Sequence, residues 1–427
     1  MKKRFLSGLV PAAAILLWQP VLSTAQQSLT WDQVKAKFEA TNPVLKADAD
    51  TIDEMRAAEI TAFLRPNPQF TTTVDGTQIA PNNGVWQPLT GTFVEPAVTY
   101  LHERDHKREL RLQSAQQGTK IAESQHEDLK RTLEFTLRSA FVDTLEAKTI
   151  VSMASANLDY YDRVIAISRE RLRTGDIAQV DFDRIELMRV QYESELQTAK
   201  VNLRTAKIRL LTLLNDRTAV EQFDVSGPFE FSDTLRPLDD FRQMALDARP
   251  DLQAALRVAQ QAETNHKLAN ANGSTDPTFG AWYTWNSAVN NPNPLDMQTV
   301  GLSVSVPLRI FDRNQGEKKR TQIDIDRSQR VTEATRAQVF SDVDTAYAQV
   351  QSNVELLKPY RDKYNQKALQ IRDTVTYSYE HGGASLMEFL SAQSEYRTVQ
   401  LAYVQLVGSY LTAAGQLNLA VGREVVQ

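Results

Sequence analysis

The chain repeats itself once at a constant spacing, and this repeat restricts its fold more than any other feature. Arg173-Thr174-Gly175-Asp176 through Asn215 aligns with Glu380-His381-Gly382-Gly383 through Gly422 at an offset of 207 residues. Asn42-Pro43 meets Arg249-Pro250 at the same offset. Between them, Asn67-Pro68-Gln69-Phe70 resembles Asp276-Pro277-Thr278-Phe279, and Val94-Glu95-Pro96 resembles Ser305-Val306-Pro307. A period this long is no solenoid, whose units are far shorter; it is a duplicated domain. Each copy reads as a helix, a Pro-marked turn, two short strands, a long helix, a Gly turn and a returning helix. The expected organisation is a leader over 1–25, a first copy over 26–227 with its tip turn near 174–178, and a second over 228–427 with its tip turn near 381–385.

The helices are expected to be unusually long. No proline occurs from Ala97 to Ser226, and glycine appears there only at Gly118 and Gly175. Both residue types interrupt helices, so their scarcity predicts one helix from about His102 to Arg173 and another from about Ala178 to Leu214. At ~1.5 Å per residue, the first would span roughly 100 Å, far more than a globular core needs. The second copy predicts helices from about Asn314 to Tyr379 and Ser385 to Val421, with a kink at Pro359. The returning helices carry a seam spaced 3,4,3,4,3: Leu196, Ala199, Leu203, Ala206, Leu210 and Leu213, repeated as Tyr403, Leu406, Tyr410, Ala413, Leu417 and Ala420. Such a spacing makes a coiled-coil face, in which the small alanines let neighbouring helices approach closely, and one intramolecular helix hairpin would satisfy it as well.

The strands are few and alternate. Val300, Leu302, Val304 and Val306 interleave with Gly301, Ser303 and Ser305; Phe279, Ala281, Tyr283 and Trp285 share one face, opposite Trp282 and Thr284. Strands are expected at about 69–76, 92–100, 278–286 and 299–307, with Glu95 interrupting the apolar face of the second. The links Thr77 to Gly91 and Ser287 to Gln298 are rich in Pro, Asn and Gly, as turns are. Aromatic-rich strands with one apolar face suit a lipid-facing barrel; a small sheet packed on helices is the soluble alternative. Four strands cannot close a barrel, and a spanning barrel must be closed. Two copies would supply eight strands and three would supply twelve.

Composition narrows the compartment and the chemistry. Lys2, Lys3 and Arg4 precede a short apolar run, Leu9 to Leu22, and Ser23-Thr24-Ala25 offers a small-residue cleavage site. That is the layout of a cleaved secretory signal, and the mean hydropathy of -0.40 speaks against a bundle of spanning helices. The chain has no cysteine, which excludes disulfides, thiolate zinc sites and a lipid-modified N-terminal cysteine. Acidic residues (53) outnumber basic ones (48), so no nucleic-acid partner is expected. Neither a phosphate-binding Gly loop nor a Ser/His/Asp signature is present, and no cofactor is expected.

One catalytic pattern does occur. His102-Glu103-Arg104-Asp105-His106 is a literal H-E-x-x-H, which on a helix would put two imidazoles on one face with a glutamate as general base. Its setting, in the opening turn of a helix among Lys107, Arg108, Glu109 and Arg111, is that of a solvated face. His126, His266 and His381 show no spacing that marks a third ligand. We therefore read His102, Glu103 and His106 as a chance match and expect neither bound metal nor enzymatic activity. Two rival readings make distinct predictions. A periplasmic zinc metalloprotease would lose activity on Glu103→Gln, and a soluble periplasmic coiled-coil adaptor would be extracted without detergent.

The segments Arg171-Leu-Arg-Thr-Gly-Asp-Ile-Ala-Gln-Val-Asp181 and Tyr379-Glu-His-Gly-Gly-Ala-Ser-Leu-Met-Glu-Phe-Leu-Ser-Ala-Gln393 resemble the outer membrane efflux (TolC-like) family. The resemblance covers essentially the whole mature chain, including the duplication. It implies an α+β membrane protein: a homotrimer whose twelve-stranded β-barrel, four strands per chain, lies in outer-membrane lipid and continues as a long periplasmic coiled-coil barrel. The implied function is the passive exit duct of a tripartite efflux or type I secretion system, fed by an inner-membrane pump through a periplasmic adaptor. By the same resemblance, the turns holding Gly175, Asp176, Gly382 and Gly383 lie at the periplasmic tip and dock the adaptor. Asp181 and Tyr379 fall where a carboxylate–tyrosine contact staples the two hairpins, and Glu388 at an acidic position lining the constriction. Ser391 and Ala384 depart from the pattern, standing where some members have a second acid and an arginine.

Overall fold

The computed structural model describes residues 28–426 apart from 82, 90 and 287–297; the expected leader and most of the second strand link lie outside the described residues. The chain runs α1 (Trp31–Thr41), α2 (Pro43–Phe63), β1 (Gln69–Asp75), β2 (Phe93–Leu101), α3 (Lys107–Thr174) and α4 (Gln179–Leu213). It then repeats the order as α5 (Leu238–Ala248), α6 (Pro250–Asn272), β3 (Thr278–Asn286), β4 (Gln298–Ser305), α7 (Gln315–Pro359), α8 (Asn365–Glu380) and α9 (Leu386–Val421). At 68 residues, α3 is roughly 100 Å long. No described helix is long and apolar enough to cross a membrane.

The two copies answer the same local problems at matching positions. Pro43 and Pro250 each open a helix, where their missing N–H costs nothing. Gly175 and Gly382, at the tip turns, both take left-handed φ (84° and 78°), as do Asn215 and Gly422 after the returning helices. Asn42 caps α2 through its Oδ1 and donates to Leu213 O at 3.1 Å. At the equivalent corner the buried Arg249 donates to Ala420 O at 3.3 Å and is neutralised by Asp251 and Asp342. An amide and a guanidinium thus tie the same corner to the same turn of the returning helix.

The four strands form one antiparallel sheet in the order β1-β2-β3-β4. The β2–β3 ladder, from Phe93↔Asn286 to Leu101↔Thr278, fuses the copies. Its register sorts the two faces. Phe70, Val74, Val94, Pro96, Val98, Tyr100, Phe279, Ala281, Tyr283, Trp285, Val300, Leu302 and Val304 share one apolar face. Glu95 does not interrupt it. It stands on the opposite face, facing Thr73 and accepting from Thr284 Oγ1 at 2.9 Å, because the alternation of β2 runs through Val94, Pro96, Val98 and Tyr100. On that polar face Gly301 lies across from Trp282, and a Cβ at Gly301 would overlap the indole ring.

The helices form a strip in which α3 packs on α4 and α9, and α9 on α7 and α8. The seam residues Leu196, Ala199, Ala206 and Leu210 of α4, and Tyr410, Ala413, Leu417 and Ala420 of α9, are buried. Pro359 ends α7, and a π-turn over Tyr360–Tyr364 leads into α8. The wider turn accommodates a ring that cannot join the regular ladder, and Arg361 anchors it to Asp233 at 3.2 Å.

Gly301→Val is expected to lower the stability of the purified protein by about 2 kcal/mol, the cost of forcing a side chain into occupied space. A melting midpoint equal to wild type would show that Trp282 does not need the glycine.

Candidate functional site

Both hairpins end in tight turns, and the turns lie side by side. Gly175 N–H closes α3 onto Leu172 O at 3.1 Å while Asp176 N reaches back to Arg171 O at 2.8 Å. In the second copy, Gly382 N bonds Tyr379 O at 3.1 Å and Gly383 N bonds Ser378 O at 2.7 Å. Left-handed glycines let each helix reverse within a few residues.

Asp181 and Glu388 stand at the same place, three residues past the residue that caps the next helix, and meet different fates. Ser385 caps α9. Its Oγ accepts from Glu388 N, and Glu388 Oε2 accepts from Ser385 N at 2.8 Å and Ser385 Oγ at 2.9 Å. These bonds, the backbone one foremost, hold the exposed Glu388 carboxyl below its ordinary pKa. In α4 the cap is Ala178, which has no hydroxyl to offer. Asp181 instead lies 3.8 Å from Arg184 on the same helix. Ser391, where a second acid was absent, donates to Glu395 at 3.0 Å.

Behind the turns is an aromatic core shared by all four helices: Tyr161, Val164 and Ile165 of α3, Phe182, Ile185 and Tyr192 of α4, Tyr379 of α8 and Phe389 of α9. Tyr161 stacks on Tyr192 with centroids 4.6 Å apart, and Tyr379 on Phe389 at 4.9 Å. Tyr379, 4% exposed, buries its hydroxyl beside Ser168 without reaching a hydrogen bond. Burial pushes its pKa up. The structure therefore does not join Asp181 to Tyr379 by a hydrogen bond: the Tyr379 ring is stacked on Phe389, and the half-buried Asp181 acts on its hydroxyl through charge alone.

What does connect the hairpins was missed at the sequence level. Arg171 Nη1 donates to Tyr379 O at 2.6 Å, Tyr160 Oη to Thr376 Oγ1 at 3.0 Å, and Arg397 pairs with Glu195 at 3.1 Å. Arg372 lies over the Tyr160 and Tyr396 rings, and Arg397 over Tyr192. The available signal was arginines placed opposite tyrosines near both turns, but spacing along one helix does not say which residues of another it meets.

The H-E-x-x-H stretch is not the opening turn of a helix. Asp105 and His106 are left-handed (φ 55° and 56°) and α3 starts at Lys107. The cause is local: His102 N extends the sheet by bonding Pro277 O at 2.9 Å, Arg104 N bonds Asp276 Oδ1 at 2.9 Å, and buried Lys107 pairs with Asp276 at 2.6 Å. The helical argument for two imidazoles on one face therefore fails, and the Glu103 carboxylate is held by Arg111. No group of three metal-binding side chains occurs among the described residues.

Residues 241–423 match the sequence model of the family described as outer membrane efflux protein. The chain is similar to the cobalt-zinc-cadmium resistance protein CzcC of Cupriavidus metallidurans, 21% identical over 92% of this chain and 90% of that protein. Among solved structures, CusC shares the fold with a TM-score of 0.77 at 16% identity, covering 92% of each chain. VceC of Vibrio cholerae does so with a TM-score of 0.73 at 14% identity, covering 92% of this chain and 96% of that one.

Tyr379→Phe is expected to leave the melting midpoint unchanged or raised, since it removes an unbonded buried hydroxyl. Tyr379→Ala should cost about 3 kcal/mol through the cavity it leaves in the aromatic core. A clear loss of stability in Tyr379→Phe would mean that the hydroxyl is bonded after all.

Proposed function

We propose that this chain is a member of the outer membrane efflux protein family and that three copies of it build an outer-membrane exit duct of an efflux system, a reading supported by the family match over 241–423 and by the similarity to CzcC and CusC. The supporting observation is that the chain is unfinished along its whole length. Among the described residues, strands β1 and β4 each pair on one side only, and the apolar sheet face is open, with Val300 77% and Leu302 80% exposed. The outer members of the helical strip likewise expose Leu187, Val190 and Val201 on α4 and Leu369, Ile371 and Tyr377 on α8. Backbone groups in hydrocarbon must be paired, so β4 of one copy meets β1 of the next. Three four-stranded sheets make twelve strands, and α4 of one copy covers α8 of its neighbour.

In this assembly the apolar face meets lipid, and the face with Glu95, Thr284 and Ser303 lines a water-filled lumen. The helices continue the lumen through the periplasm, where the protein arrives after removal of residues 1–25. The turns at Gly175, Asp176, Gly382 and Gly383 form the far tip and dock a periplasmic adaptor, which hands on substrates from an inner-membrane pump. Substrates move passively, and the chain catalyses no reaction. Glu388 and Asp181, on the first turns of α9 and α4, bring carboxylates to the aperture. Repeated three times, they focus a negative potential across it, and Tyr379 holds the turns in place from behind.

Negative-stain imaging of detergent-solubilised particles from the outer-membrane fraction is expected to show a three-fold tube, long and narrow with a short barrel at one end. Compact monomers in the soluble periplasmic fraction would overturn the reading. In planar bilayers the wild-type channel should favour cations, and Glu388→Lys should reduce that preference; unchanged selectivity would remove Glu388 from the aperture. Because the folded Glu388 pKa is depressed, its charge and its contribution to the tip are present above the ordinary carboxylate range and vanish as pH falls through the lowered value. Ser385→Ala should therefore move the acid loss of cation selectivity to higher pH, and an unshifted midpoint would show that the capping bonds do not control it.

A further inference from the structure

We propose that Arg171 is the positioning residue that latches the two tip turns together and so sets how tightly the duct closes; this rests on the exit-duct reading above. Arg171 sits in the last turn of α3, between Arg169 and Arg173. Those neighbours pair with carboxylates of their own hairpin, Glu186 at 3.5 Å and Glu170. Arg171 has no carboxylate partner among the described residues and crosses to the other hairpin. Its Nη1 donates to Tyr379 O at 2.6 Å, and its guanidinium lies over the Tyr379 ring, 5.0 Å from the centroid.

The acceptor explains why this contact acts on the turn itself. Tyr379 is one of the last residues of α8, whose final carbonyls have no partner within the helix. Its oxygen takes Gly382 N–H, which closes the turn, and Arg171 Nη1, which belongs to the other hairpin. One carbonyl therefore joins the reversal of the second hairpin to the end of the first. The cation also lies at the negative ends of two helix dipoles, its own and that of α8. A planar guanidinium can bond the carbonyl and face the ring together; an ammonium offers one point charge and cannot do both. The ring so held is the one stacked on Phe389, which follows Glu388 directly, so the latch also places the first turn of α9.

The test uses the purified full-length protein in planar bilayers, with hydrogen exchange measured on the same preparations. Arg171→Ala should raise the resting conductance roughly tenfold, the factor carried by one charge-assisted hydrogen bond. Arg171→Lys should fall between it and wild type, and the overall melting midpoint should hardly change. Amide exchange across 378–384 should quicken in both variants, while exchange in the middle of α9 stays as in wild type. Resting conductance equal to wild type in Arg171→Ala would overturn the latch; if that variant does not assemble, the same result in Arg171→Lys would do so. If wild type itself forms no channel, the exit-duct reading fails, and exchange still decides the latch: unchanged protection of 378–384 in the variants would refute it.

Discussion

Every backbone N–H and C=O that leaves water must find a hydrogen-bond partner, and this one requirement organises the chain from end to end. Within the chain it is met along the β2–β3 ladder, which binds the first copy to the second and sets the register of all four strands. At the outer edges of β1 and β4 it is not met. A sheet left open on both sides, with a continuous apolar face, is a partial structure, and the long helices continue the same incompleteness as a strip with apolar residues along its two margins. The proposed three-fold duct satisfies the edges and the margins together, because one rotation brings each to its complement.

Duplication explains the symmetry of the chain, and divergence explains its mechanics. Equivalent corners are tied by Asn42 in one copy and by Arg249, with its two aspartates, in the other. Equivalent helix starts carry Ala178 and Ser385, and from that single difference Glu388 becomes fixed in a capping box while Asp181 is left to an exposed contact with Arg184. A position inherited twice has thus become two electrostatic environments, one carboxylate bonded to its own helix cap and the other paired with an arginine one turn on. Across the hairpins each copy contributes an arginine, Arg171 of the first on the Tyr379 carbonyl and Arg397 of the second on Glu195.

Much of this was legible in the residues because it depends on periodicity. The absence of proline over 97–226 predicted α3 and α4, the 3,4 spacing predicted the buried seams, and strict alternation predicted which residues of β3 and β4 share a face. The misreadings share a different cause. Glu95 was placed on the wrong face because one residue of strand phase inverts every side chain, and the phase of β2 is set by its pairing with β1 and β3. A helix is expected from about His102 because neither proline nor glycine interrupts the stretch, while Pro277 O and Asp276 on the other copy hold it extended and then turned. The tyrosine of the second turn was expected to bond Asp181, yet stacking on Phe389 decides where its hydroxyl points.

The sequence by itself determined the local plan: two copies, long helices, left-handed glycines at the reversals, and strands with one apolar face. Those properties follow from backbone sterics and from repeats of two or three and a half residues, which are written along the chain. Only the tertiary structure decided which residues meet across it: Arg171 with the Tyr379 carbonyl, Glu95 with Thr284, Lys107 with Asp276. The partners in these pairs are separated by about 170 to 210 residues. Their approach depends on how two copies of one domain register against each other, a relation that no periodicity within either copy encodes.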